Sequence, residues 1–308
     1  MRVFVTGATG FIGSAVVQEL IQAGHQVLGL SRSDAGAQAL TAAGAQVHRG
    51  DLEDLDSLRS GAAQSDGVIH LAFNHDFSRF LANCEADKQA IEALGAALAD
   101  SRPDSRPDSR PGGAARPLVI TSGTGMGNTV PGQPASEDNF DPSHPNPRKG
   151  SELAGVAVSE RGGNVSVVRL PQVHDPAKQG LITWAIDIAR NKGVSAYVGD
   201  GQNRFPAVHR LSAAAVYRLA LEKAAHGARY HAVAEEGVPM KDIAEAIGRG
   251  LNVPVVSIAP EQANEHFGWL GMFMGYDMPA SSALTQQRLG WKPTGPLLLT
   301  DLNDHFKA

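Results

Sequence analysis

Residues 3–13 read VFVTGATGFIG, an apolar β-branched run that passes into glycines at every third place. The run predicts a buried strand, and residues 12–23 predict a helix. Gly7 permits a tight turn, Gly10 lets the backbone approach a pyrophosphate, and Gly13 allows the helix to pack closely on the strand. Helix amides and the helix dipole then face the phosphates. An ordinary tight strand–helix turn is the alternative, but strand, glycines and helix agree on a phosphate-binding turn.

The alternation of strand and helix continues beyond this turn. Short apolar runs predict strands at residues 26–30, 45–50, 67–73, 117–123 and 165–170. Patterns of helical period predict helices at residues 35–43, 86–99 and 150–161. Continuous apolar strands separated by helices predict an α/β fold, a doubly wound parallel sheet covered on both faces.

The spacing loosens beyond Pro171, where helical patterns at residues 181–191, 213–223 and 241–251 mix with short strands. We expect residues 1–175 to form a dinucleotide-binding domain, to which part of residues 205–235 returns. Residues 176–308 are expected to form a smaller, interleaved substrate region that closes over the carboxyl edge of the sheet.

Residues 101–117 read SRPDSRPDSRPGGAARP, a tandem repeat with proline at every fourth place. Proline removes backbone donors and the repeat offers nothing to bury, so the sequence predicts an exposed, mobile loop. An arginine-rich partner site is the alternative.

Composition narrows the class of protein further. The chain has 308 residues, a net charge of -5, and is 42% hydrophobic and 19% charged. This balance argues against nucleic acid or an anionic membrane as a partner, and favours a small-molecule substrate. Cys84 is the single cysteine, which suits a reducing cytoplasm. We expect no secretory signal, no membrane span and no metal site, and a monomer or homodimer.

Several short motifs, in this order, resemble those of the short-chain dehydrogenase/reductase superfamily, in particular its extended and atypical, NAD-dependent epimerase/dehydratase-like members. The turn is GxxGxxG rather than GxGxxG. It is followed by GDL at residue 50, HLAF at 70, TSG at 121, RLPQVHDP at 169, AVHRLSAAA at 207 and QQRLGWKP ending at 293. The resemblance implies a Rossmann-like fold and a nicotinamide dinucleotide. It implies cofactor contacts from these residues: Gly7, Thr9, Gly10, Phe11, Ile12, Gly13, Ser31, Arg32, Ser33, Asp51, Leu52, Leu71, Ala72, Phe73, Pro171 and Val173.

The end of the second strand predicts which dinucleotide binds. NAD usually meets an acidic residue there, whereas this chain has Ser31, Arg32 and Ser33. A guanidinium with hydroxyls suits the 2′-phosphate of NADP. Two alternatives stay open: Asp34 reaches a ribose and favours NAD, or Arg32 is a solvated loop charge.

The resemblance also implies hydride transfer assisted by a serine, a tyrosine and a lysine. Ser122 is in the serine position, although it could instead only cap the strand. The tyrosine and lysine positions hold His144 and Arg148, and nearby prolines prevent one regular helix through both. The tyrosines all follow the sixth strand, outside the expected window: Tyr197, Tyr217, Tyr230 and Tyr276.

Other proton carriers are candidates. His75 and Asp76 follow the fourth strand at the ligand-binding edge, and His174 lies near the expected nicotinamide end. We expect His209 to be structural. Arg148 cannot deprotonate but could bind a ribose or a substrate anion, and Lys149 could replace the lysine one place late.

Residues 266–279 read HFGWLGMFMGYDMP, which with Trp184 and Phe205 favours an apolar substrate. Packing of the C-terminal core or a subunit contact is an equal alternative for this segment. We therefore expect an NADP-dependent oxidoreductase, a reductase or dehydrogenase that acts on a small, apolar carbonyl or imine. A non-catalytic NADP sensor and a cofactor-retaining epimerase or isomerase remain alternatives.

Overall fold

The computed structural model describes residues 1–99, 115–128 and 130–307. The predicted loop of the SRPD repeat lies outside these residues, except for its last three. The strands are β1 (Arg2–Thr6), β2 (Gln26–Ser31), β3 (Gln46–Arg49), β4 (Gly67–His70), β5 (Pro117–Gly123), β6 (Asn164–Leu170), β7 (Gln172–His174), β8 (Ser195–Val198), β9 (Arg204–His209), β10 (Arg229–His231), β11 (Glu235–Pro239) and β12 (Val255–Ile258).

The helices are α1 (Phe11–Gln22), α2 (Asp34–Ala42), α3 (Leu55–Ala63), α4 (Phe80–Ala99), α5 (Lys149–Glu160), α6 (Ile182–Lys192), α7 (Arg210–Lys223), α8 (Met240–Leu251), α9 (Ala263–Phe267), α10 (Gly271–Met274), α11 (Ala283–Leu289) and α12 (Leu298–His305). Among the described residues no helix combines the length and hydropathy needed to cross a bilayer.

Seven parallel strands form the main sheet, in the order β10-β6-β5-β4-β1-β2-β3. Helices α1 and α7 pack on one face, where Val5, Ile69 and Tyr217 share a buried cluster. Helices α3, α4 and α5 cover the other face around Phe4 and Ile120. The predicted Rossmann-like α/β fold is confirmed, and every strand of this sheet ends at the same edge.

The structure corrects two local predictions. The fourth strand ends at His70 rather than at residue 73, because the Ala72 amide turns to donate to the Thr6 hydroxyl at 3.2 Å and leaves the ladder. Helix α3 was not predicted. Its N-cap Asp54 accepts the amides of Asp56 and Ser57, which explains why so polar a segment is helical.

Residues 176–307 contribute to both parts of the fold. Helix α7 and strand β10 join the main sheet, whereas β11-β9-β7 and β12-β8 form two small sheets. A separate core forms around Ile186, Phe205 and Ile243. The domain boundary near residue 175 stays a prediction.

Candidate functional site

The turn between β1 and α1 is built for a close ligand. Gly7 has φ +66, and a Cβ there would lie 2.8 Å from the Ala72 amide nitrogen. A Cβ on Gly13 would collide with the Gly7 carbonyl oxygen. Gly10 is the N-cap and has no side chain to occupy the first-turn amides. Glycine at residues 7 and 13 therefore lets the turn pack closely on its own backbone, and the uncapped start of α1 leaves first-turn amides that fit the pyrophosphate of a dinucleotide.

Of the other residues predicted to touch the cofactor, Thr9 lies in the same turn, and Phe11 and Ile12 begin α1. The rest lie at or just beyond the carboxyl ends of β2, β3, β4 and β6. Leu52 and Leu71 are half-buried against the core, whereas Val173 is buried in β7. Pro171 connects β6 to β7. These positions form one continuous edge on both sides of the glycine turn.

The polar side chains at the end of β2 each contact a different partner. The Ser31 hydroxyl is buried and donates to the Ser33 carbonyl at 3.0 Å, while the Ser33 hydroxyl caps α2 through the Gly36 amide at 3.1 Å. Arg32 is exposed, with its guanidinium 3.7 Å from the Asp51 carboxylate. Asp34 pairs with Arg49 from β3. An exposed guanidinium thus lies at this edge beside Asp51, and the next acid along the chain, Asp34, is paired with Arg49.

A chain of hydrogen bonds runs from the turn into the α4 face. The Thr6 hydroxyl lies 2.7 Å from His70 Nδ1, and His70 Nε2 lies 3.2 Å from Asp87 Oδ1. The other carboxylate oxygen of Asp87 accepts from Arg148 Nη1 at 2.5 Å and from the Ser151 hydroxyl at 2.6 Å. Buried polar groups that satisfy one another in this way fix each other's orientation.

The negative charge of Asp87 decides which groups donate in this chain of hydrogen bonds. Burial raises the pKa of Asp87, but Arg148, His70 and Ser151 outweigh burial and lower that pKa to about 2. Asp87 is therefore ionised and acts only as an acceptor, so His70 Nε2 carries a proton and donates it to Asp87 Oδ1.

Arg148 is aimed at the sheet edge by this network. Its Nη2 donates to the Thr121 carbonyl at 3.2 Å, and its guanidinium lies 4.0 Å from the centre of the Phe73 ring. Ser122 follows Thr121 directly and is 4% exposed, and its hydroxyl has no hydrogen-bond partner among the described residues. A fixed cation and an unused hydroxyl therefore lie at the carboxyl end of β5.

His75 lies in the same neighbourhood. Its ring lies edge-on to Phe73 with 5.3 Å between ring centres. The pKa of His75 is lowered, first because neighbouring atoms displace water from the imidazole and then because Arg148 is close. His75 is therefore an imidazole that stays largely neutral near pH 7.

The remaining histidine candidates are engaged elsewhere. His144 lies in a turn before α5, where its Nδ1 accepts the Asn146 amide at 3.1 Å. His174 is fully buried, and its Nδ1 lies 2.7 Å from Asp301 on α12. His209 caps α7 by accepting the Leu211 amide at 3.3 Å, which is a structural role.

Sequence reasoning missed Asp87, Ser151 and Tyr217. Asp87 occupies the apolar stripe of α4 together with Ala90, Ile91 and Leu94, and an acid at such a position was the available signal. Tyr217 is fully buried, and its hydroxyl lies 2.9 Å from that of Thr121. Burial raises the pKa of Tyr217, which makes it unsuitable for proton transfer near neutral pH.

The predicted substrate segment, residues 266–279, is partly buried in the C-terminal core and partly exposed. Phe267, Leu270 and Met274 are buried in the C-terminal core, as is Phe205, which therefore does not line the site. Trp269 is 38% exposed and lies 6.2 Å from Phe273, which packs against that core. Among the described residues no cluster of three metal-ligating side chains occurs.

Known proteins resemble this chain over its whole length. A model of the NAD dependent epimerase/dehydratase family matches residues 3–101. An uncharacterized protein of Schizosaccharomyces pombe is 48% identical over 98% of both chains, and one of Saccharomyces cerevisiae is 42% identical over 99% of both. The dTDP-glucose 4,6-dehydratase of Streptomyces venezuelae, solved with NAD bound, superposes with a TM-score of 0.76 at 19% identity and covers 100% of this chain and 96% of its own.

The glycine turn, the strand order and these matches agree with one another. The chain belongs to the NAD-dependent epimerase/dehydratase family, whose enzymes use a nicotinamide dinucleotide.

Proposed function

We propose that this protein is an NADP-dependent reductase of a small, apolar carbonyl or imine compound. The observation that carries the proposal is the buried hydroxyl of Ser122, which has no hydrogen-bond partner in the described part of the chain and follows the residue whose carbonyl accepts from Arg148. A hydroxyl in such a place is available to donate a hydrogen bond to a reacting oxygen or nitrogen.

The glycine turn supplies the reason to expect a dinucleotide. When bound, NADPH supplies the hydride that reduces a carbonyl carbon. Gly7, Gly10 and Gly13 would take the pyrophosphate, and Arg32 with the hydroxyls near it would take the 2′-phosphate. The engagement of Asp34 by Arg49 supports NADP, because that acid is not directed at a ribose.

Side chains of this protein would position the substrate, stabilise the developing charge and donate the proton. Ser122 positions the reacting oxygen, and the guanidinium of Arg148 stabilises the negative charge that develops on it. Asp87 keeps Arg148 in place but cannot take up a proton near pH 7, because its pKa is about 2. His75 is proposed as the proton donor: the small fraction that is protonated is a stronger acid than an ordinary imidazolium.

The experiment is NADPH oxidation with a panel of aldehydes, ketones and imines. We expect turnover with at least one member, and Ser122→Ala should lower kcat about 100-fold or more, as loss of one such donor does in other enzymes. Ser143→Ala is the matched control, since that exposed serine bonds to Asp141 in the loop before α5. Binding of NADPH with no turnover on the whole panel would instead indicate a non-catalytic sensor.

A further inference from the structure

Three aromatic side chains that are distant in sequence meet at the edge of the site. Phe77 follows β4, Trp184 lies in α6, and Trp269 lies in a short 3-10 turn before α10. The rings of Phe77 and Trp269 stack, with 4.0 Å between their centres and 13° between their planes. Trp184 lies edge-on to both, at 6.1 Å from Phe77 and 5.4 Å from Trp269. We call these three residues the aromatic clamp.

The clamp is continuous with the proposed reaction centre. Phe80 lies 5.7 Å from Phe77 and 6.3 Å from Phe73, measured between ring centres. His75 lies edge-on to Phe73 and Phe77 alike. Because Phe73 carries the guanidinium of Arg148 on its face, an apolar surface leads from the clamp to the polar groups at the end of β5.

The clamp lies at the rim of the C-terminal core, against which Trp184 packs. Leu270 and Phe267, on either side of Trp269, are buried in the C-terminal core, whereas Trp269 is 38% exposed. Phe77 and Trp184 are half-buried. Gly268 directly precedes Trp269 and has φ +59, a left-handed conformation that favours glycine. Trp269 thus remains partly exposed while its ring stacks on Phe77, in the segment after β4.

We propose that the clamp takes up a planar, conjugated ring of the substrate, which makes aryl or conjugated carbonyl compounds the substrate class. This proposal rests on the proposed reductase function. A ligand ring that stacks on the exposed part of Trp269, which is 38% exposed, adds one aromatic contact and leaves the stack with Phe77 in place. A saturated ring of the same size has no π face and gains only apolar contact.

The test compares benzaldehyde with cyclohexanecarbaldehyde, which carry the same aldehyde on a planar and on a saturated six-membered ring. We expect Trp269→Leu to lower kcat/KM for benzaldehyde about three- to tenfold, the value of one stacked pair, with a smaller effect on the saturated aldehyde. Trp269→Phe keeps a ring and should retain the preference. Equal losses of kcat/KM for both aldehydes in Trp269→Leu would contradict the proposal that the clamp binds a planar ring.

A binding measurement separates failure of the clamp from failure of the reductase. Saturation-transfer NMR follows benzyl alcohol and cyclohexylmethanol with the full-length wild type, Trp269→Leu and Trp269→Phe. If no carbonyl is reduced, the proposed function falls. Loss of the benzyl alcohol signal in Trp269→Leu alone would still support binding of a planar ring by the clamp. The same signal in all three proteins would contradict it.

Discussion

Asp87 is an acid on the apolar stripe of α4, and its two carboxylate oxygens face different partners. One lies against His70, and the other accepts from Arg148 and Ser151. The side chain is 1% exposed, so water cannot replace any of these partners. The orientation of Arg148 toward the sheet edge therefore depends on one buried negative charge.

We expect Asp87→Asn to lower the free energy of unfolding by about 3 kcal/mol, because it leaves Arg148 largely buried without a counter-charge. Urea unfolding measures the loss. Ser151→Ala removes one hydrogen bond from the same carboxylate but keeps the charge pair, and should cost about 1 kcal/mol. Similar losses in the two variants would show that the charge of Asp87 is unimportant.

Since the pKa of Asp87 is lowered from 3.8 to about 2, this stabilisation is present above about pH 4 and is lost as the pH falls toward 2.

Among the secondary-structure elements, we propose that the turn from β2 into α2 decides the choice of dinucleotide. Ser31 and Ser33 are used to build the turn, through the Ser33 carbonyl and the cap of α2. The Arg32 side chain is exposed, and its Nη1 lies 3.7 Å from Oδ2 of Asp51. The turn thus fixes its own shape with the two serines and leaves the guanidinium available to a phosphate.

Arg32→Ala should weaken NADPH binding about tenfold or more and leave NADH binding nearly unchanged, because NADH lacks the 2′-phosphate that a guanidinium would pair with. Isothermal titration calorimetry with both dinucleotides measures the two affinities. Arg59→Ala is the control, since Arg59 lies on α3 and pairs with its neighbour Asp56. Equal losses for both dinucleotides in Arg32→Ala would contradict the preference for NADP.

Sequence patterns predicted these elements to different degrees. The first six strands of the main sheet and α1 follow from apolar runs and glycine spacing, which are local signals, whereas β10 was not predicted as a strand. Helix α3 was missed because its sequence, LDSLRSGAA, is polar and its start depends on the Asp54 cap. The end of β4 was misplaced because the contact of Ala72 with Thr6 joins residues 66 positions apart. The Asp87–Arg148 pair joins residues 61 positions apart, and no short-range pattern indicates which partner such an acid will meet.

Across the whole molecule, a buried ionic cluster ties the main sheet to the C-terminal region. Arg169 on β6 is fully buried and donates to both carboxylate oxygens of Glu152 on α5, at 2.7 and 2.9 Å. Arg229 donates to the same carboxylate at 2.8 Å. His231 lies 3.2 Å from Arg169 Nη1 through Nε2 and 2.8 Å from the Ser281 carbonyl through Nδ1. Because Arg169 can only donate, Nε2 accepts and Nδ1 carries the proton, so His231 is neutral in the folded protein.

The neutrality of His231 makes the stability of the whole molecule depend on pH. Burial, followed by the charge of Arg169, lowers the pKa of His231 from 6.5 to about 3. Between these values the unfolded chain binds a proton that the folded chain does not, so stability falls as the pH falls below about 6.5. Urea unfolding of the wild type and of His231→Gln at pH 7 and pH 5 should show that the wild type loses about 2 kcal/mol more than the variant. Glutamine can accept from Arg169 and donate to Ser281 but does not titrate, so parallel losses in the two proteins would show that another group controls the acid sensitivity.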